Sequence, residues 1–141
     1  MTTEEVQNQI IEEFSLFDDW MDKYEMIIEM GNELTPYNEK YKTPANIING
    51  CQSRVWLNAD YSDGKVIFTA DADAIIAKGI IALLMNILSN RTPKEIIETE
   101  LFCIDRIGLH QNLSPTRANG LVSMIKQIKN YAIAYQAKTN E

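Results

Sequence analysis

With 141 residues, this chain is long enough to bury a substantial hydrophobic core. Its 45% hydrophobic and 23% charged residues are ordinary for a globular protein, and one domain over residues 1–141 is expected. A formal net charge of -7 would repel a phosphate backbone, so nucleic-acid binding is disfavoured. The charge is uneven: eleven of the twenty acidic residues lie between Glu4 and Glu39, where Lys23 is the only cation. Such a stretch reads either as a solvated helix face or as an electrostatic dock for a basic partner.

The start, Met1-Thr2-Thr3-Glu4-Glu5, is acidic and lacks the apolar run of a secretory signal. The most apolar stretch, Ala74 to Leu88, is interrupted by Lys78 and Gly79 and falls short of the ~20 residues of a membrane span. No membrane association is expected. Two cysteines without a secretory signal suggest a reducing compartment, and hence a cytoplasmic location.

Along the chain, Thr2 and Glu5 have capping-box spacing, and Val6, Ile10, Phe14 and Phe17 recur at about one helical turn. Ser15 and Asp18 can start a second helix carrying Trp20, Tyr24, Ile27 and Ile28, with Gly31 as its terminator. Asn32 to Asn49, with Pro36 and Pro44, reads as a long irregular connection, a class that is often functional. From Ser53 the period changes to two. Val55, Leu57 and Ala59 share one face of a strand, Asp63-Gly64 marks a turn, and Lys65 to Ala70 completes a β-hairpin. Asp71 or Asp73 then caps a helix to about Leu88, apolar nearly all round and so placed at the centre. Thr92-Pro93-Lys94-Glu95 opens a short helix, and another runs from about Glu100 to Ile107, stopped by Gly108. Ser114-Pro115 opens a long last helix with a stripe of Leu121, Ile125, Ile128, Ala132 and Tyr135; the polar tail Lys138 to Glu141 is expected to fray. The sum is an α+β fold: a small antiparallel sheet, built on a β-hairpin, covered by helices.

The chemistry centres on Cys51, between the Gly50 turn and the first strand. It is either a small residue filling a turn or a thiol that reaches solvent or a partner. Arg54 can lend positive charge, and the amides of the Gly50 turn can stabilise a thiolate. Familiar catalytic sets do not fit. A phosphatase loop needs an arginine after five intervening residues, where Leu57 stands, and a cysteine protease needs a histidine base, for which His110 is the sole candidate. Cys51, Cys103 and His110 lack zinc-ligand spacing, and Cys103 lies in an apolar helical run that favours burial. Arg117 falls in the first turn of the last helix, disfavoured for a cation on dipole grounds. It reads either as a specific ion-pair or anion-binding residue or as plain surface.

Three blocks in register resemble the SufE family: Gly50-Cys51-Gln52-Ser53-Arg54-Val55-Trp56-Leu57, Ala70-Asp71-Ala72-Asp73-Ala74-Ile75-Ile76-Ala77-Lys78-Gly79, and Leu113-Ser114-Pro115-Thr116-Arg117-Ala118-Asn119-Gly120-Leu121. The resemblance implies a fold shared with iron–sulfur scaffold proteins of the IscU type. It implies a carrier without independent turnover, in which Cys51 accepts persulfide sulfur from a SufS-type cysteine desulfurase, stimulates that enzyme and passes the sulfur to a SufBCD-type iron–sulfur scaffold. The implied pyridoxal phosphate belongs to the desulfurase, and no cofactor is implied for this chain. Asp73 and Arg117 match family positions and are expected near the thiol loop or partner surface, and Gly50, Gln52 and Arg54 are expected as further supporting or partner-binding residues. Two positions depart from the family pattern: Asn112 stands where a histidine is frequent, and Ala72 replaces a serine. No role is carried to His110. Ile47, Ile48, Val55 and Trp56 are residue types that can shield a persulfide. An iron–sulfur or metal-binding scaffold is the alternative function, opposed by the shortage of thiolates. A monomer or weak dimer is expected.

Overall fold

The structure, a computed structural model, describes residues 1–139. The chain runs α1 (Thr3–Phe14), α2 (Trp20–Asn32), β1 (Val55–Ser62), β2 (Lys65–Ala72), α3 (Ile75–Leu88), α4 (Pro93–Glu98), α5 (Phe102–Arg106) and α6 (Pro115–Thr139). This is the expected α+β arrangement, in which helices cover a two-stranded antiparallel sheet.

The hairpin forms as its alternation demands. Ser62 pairs with Lys65 across a two-residue turn in which both Asp63 (φ 53°) and Gly64 (φ 79°) are left-handed. In that register Leu57 opposes Ala70 and Ala59 opposes Phe68, so Val55, Leu57, Val66, Phe68 and Ala70 enter the core together. Phe68 meets Tyr131 of α6 edge-on, and the outer end of the sheet is closed by Tyr61 stacked on Tyr135 at 5.2 Å.

α3 is the central element, with Gly79–Leu84, Ile87 and Leu88 all buried. α1 and α2 lie on it, and the α2–α3 crossing is close because glycines face each other. A Cβ on Gly31 would sit 2.9 Å from Gly79 N, and one on Gly79 would sit 2.5 Å from Ile27 Cγ2. Gly31 therefore lies inside α2 as a contact residue and is not the terminator expected from sequence; the helix continues to Asn32. Its start also differs, since Asp19 caps it by accepting from Met21 N.

The capping boxes at Thr2/Glu5 and Thr92/Glu95 form as expected. Gly108, at φ 75°, ends the α5 segment, which is shorter than its pattern suggested. Ser114 caps α6 by accepting from Arg117 N at 3.3 Å. At the other end of α6, Lys138 and Thr139 remain helical, and residues 140–141 lie outside the described residues. Buried Gln7, which no sequence pattern singled out, ties α1 to α5: its Nε2 donates to Glu100 O and its Oε1 accepts from Cys103 N. Cys103 is fully buried as expected, and burial pushes its thiol up to about 12.

Candidate functional site: a six-residue thiol loop over α3 and α6

The connection between α2 and β1 is less free than its composition suggests. It contains two short 3₁₀ turns, Glu39–Tyr41 and Pro44–Asn46. Lys42 fastens it to the sheet, pairing with Asp71 at 3.0 Å while its ammonium lies 5.1 Å from the Trp56 ring centroid. Burial works to raise the Asp71 carboxyl, but the hydrogen bonds from Lys42 and Ala72 N, with the charges of Lys42 and Lys78, together hold it below its usual value. Ile47 then bridges Trp56, and Ile48 N donates to Val55 O at 2.8 Å, forming a rudimentary third strand. Residues 49–54 project beyond this pairing, and Cys51 lies within them.

The loop has a firm base and a lightly held tip. At the base, Arg54 N donates to Asp73 Oδ1 at 2.9 Å and Asp73 N donates back to Arg54 O at 3.1 Å. Asp73 is thus committed to the loop, and Asp71 to the lysines. Neither caps α3, whose N-cap residue is Ala74 with no side-chain hydrogen bond. That corrects the expected cap: the strand's pairing carries both carboxylates away from the α3 amides. At the tip, Gly50 adopts φ 95° and lies so close to α6 that an added Cβ would collide with Ser123 Oγ. Among the described residues, the Cys51 side chain makes one hydrogen bond, Sγ donating to Gly120 O at 3.6 Å, a weak contact.

Cys51 is half-buried in a cleft walled by Ala77 and Ile80 of α3 and by Thr116, Arg117, Gly120 and Met124 of α6. The free space beside it is about 20 Å³, enough for one water-sized atom, for which ~10–15 Å³ suffices. Burial pushes the thiol above its ordinary value. The neutral S–H is the form that donates to the Gly120 carbonyl. The thiol therefore rests inward and protonated.

Several sequence expectations change here. Arg54 is exposed and contributes its backbone to the loop base, and it is not among the residues lining the Cys51 cleft. Ile48 and Val55 are core residues, and the shielding expected of them comes instead from α3 and α6. Gln52 and Arg117 do line the cleft with Cys51, whereas Gly50 and Asp73 shape the loop. His110 is exposed on a 3₁₀ turn and does not line the cleft. Sequence reasoning missed Gly120 as a functional residue, although a glycine inside a helical pattern signals close packing. A Cβ there would lie 3.5 Å from Cys51 Sγ, occupying the space beside the sulfur.

No helix among the described residues is long and apolar enough to cross a membrane. The SufE family model, described as an Fe-S metabolism associated domain, matches residues 8–132. An uncharacterised SufE-like protein of Synechocystis is 40% identical over 128 residues, covering 91% of this chain and 80% of that protein. A second, from Rhizobium etli, is 39% identical over 130 residues, covering 89% and 88%. A solution structure of a hypothetical protein from Thermus thermophilus superposes with a TM-score of 0.76 at 19% identity, over 94% of this chain and 96% of that one, and so shares its fold. With a family match across most of its length and such relatives, the chain belongs to the SufE family and has a role in Fe–S metabolism.

Proposed function

We propose that this protein is a sulfur carrier that takes sulfane sulfur onto Cys51 from the persulfide of a pyridoxal-phosphate-dependent cysteine desulfurase, stimulates that enzyme, and releases the sulfur to iron–sulfur cluster assembly. The observation that carries this reading is the resting geometry of Cys51, a lone thiol on a lightly held loop beside space for one further atom. The step is thiol–disulfide-type exchange. The Cys51 thiolate attacks the terminal sulfur of donor R–S–SH, the donor S–S bond breaks, and a new S–S bond forms. Cys51–S–SH results, and the donor departs as R–S⁻, taking up the proton that Cys51 gave to solvent or to the partner. No oxidant is consumed.

Inward and outward loop positions divide the work. Inward, the raised thiol is a poor nucleophile and is guarded against stray oxidation. Outward, it is rehydrated and reaches a partner without help from a histidine on this chain. The persulfide returns to the cleft, where the small free volume accepts the added sulfur. The scaffold alternative has weaker support: among the described residues no group of three or more His, Cys, Asp or Glu is placed to hold a metal ion.

The test is mass spectrometry of the protein after incubation with a cysteine desulfurase and cysteine. A gain of ~32 Da that maps to Cys51 and is absent from Cys51→Ser is expected. If Cys51→Ser stimulates the desulfurase fully, the relay is wrong and stimulation is purely a docking effect.

A further inference from the structure

No residue of the acidic N-terminal third lines the Cys51 cleft. Here α1 and α2 each pack on α3 and flank an open groove of about 470 Å³, with Asn86 of α3 at its margin. Val6 and Ile10 from α1 and Met26 and Met30 from α2 supply its apolar lining, beside the polar Gln9. Carboxylates rim it, Glu13 on one side and Glu29 and Glu33 on the other. A second depression of about 310 Å³ adjoins the first, with Glu13, Met26 and Glu29 lining both. It adds Asp22 and Glu25 to the rim, together with Leu16, which is 80% exposed. Along α2 the lining extends from Asp22 to Glu33, ~16 Å at the helical rise and close to three turns of an occupying helix.

The rim is not neutralised within the chain. Among the described residues none of its five carboxylates has an ion-pair partner. Lys23, the one cation between Glu4 and Glu39, lies 5.0 Å over the Trp20 ring. Like charges gathered around a methionine-lined trough cost stability when empty and favour cations when filled. The same field repels nucleic acid, anionic lipid and a second copy of this rim.

We propose that the α1–α2 groove docks a basic amphipathic helix of a partner protein, its apolar stripe seated on Met26 and Met30 and its lysines or arginines meeting the glutamate rim. This surface shares no lining residue with the Cys51 cleft, so the proposal does not rest on the sulfur-transfer reading. It allows a partner to hold the protein while the thiol loop is free.

The probe is a fluorescein-labelled peptide of ~14 residues with leucines at i, i+3, i+4 and i+7 flanked by lysines, titrated into the whole protein by anisotropy. Saturable binding is expected, weakened at least ~tenfold in Glu13→Lys/Glu29→Lys/Glu33→Lys and falling as salt rises from ~50 to ~300 mM. Methyl NMR on the unmodified protein should place the shifts at Ile10, Met26 and Met30, with the Cys51 loop unmoved, which decides the matter even if the triple variant folds poorly. Equal binding of the triple variant overturns the proposal. So does equal binding of a composition-matched peptide without the stripe, since charge alone would then be acting. Sedimentation showing a wild-type dimer that the triple variant loses would assign the groove to a second copy and also overturn it.

Discussion

Gly50→Ala tests whether the thiol loop moves independently of the core. At φ 95° the new side chain is in the left-handed half of backbone space, which costs an L-residue about 1–2 kcal/mol. Its Cβ also meets α6, 3.3 Å from Ser123 Cβ and closer still to Ser123 Oγ. Both penalties fall on the inward loop, because a loop swung away from α6 is free to change φ and to clear Ser123. A closed state raised by ~1–2 kcal/mol multiplies the open fraction about 5- to 30-fold. The assay is the rate of Cys51 alkylation by iodoacetamide beside the thermal midpoint. A rate increase of at least that size is expected, since the Ser123 contact adds to the backbone cost, with the midpoint little changed because the strain is relieved locally. Adding Ser123→Ala should return the rate part of the way, since it removes the hydroxyl but not the backbone strain. If Gly50→Ala instead leaves the rate unchanged and lowers the midpoint by ~2–4 °C or more, loop and core open as one unit and the reasoning fails.

The two thiols should separate by pH. Burial raises both, so each neutral form is favoured in the folded state. Their contribution to stability is complete below the unfolded value of ~8.5 and is lost as pH climbs through the folded value. Cys51 alkylation should therefore have a midpoint above that of free cysteine, while Cys103, raised to about 12, should react only after denaturation. Comparable native rates at the two positions would contradict the burial difference. Gly79→Ala should force α2 from α3, because Ile27 Cγ2 and C would lie 2.5 and 2.7 Å from the new Cβ. A loss of about 1–3 kcal/mol in urea denaturation is expected, and a neutral result would show that the crossing can widen freely.

The local rules that worked act over a few residues. Alternation through Val55–Ala59 and Val66–Ala70 determined the hairpin, and Asp63-Gly64 determined its turn and hence its register. Thr2, Thr92 and Ser114 marked helix starts because capping depends on residues three positions apart. The unbroken apolarity of Ile80–Leu84 placed α3 at the centre. At the site, the sequence alone singled out Cys51 as a thiol with no partner for conventional catalysis, and the three motif blocks pointed to its family. What tertiary structure decided is every contact across long separations. Asp73 reads locally as a helix cap, yet its carboxylate goes to the Arg54 amide because strand pairing brings 54 and 73 together. Gly31 reads locally as a stop and serves instead as half of a helix crossing with Gly79. Cys51 reads as a strand-mouth thiol; only the packing of α3 and α6, the latter contributing Gly120 69 residues later, encloses it, and that burial raises its pKa.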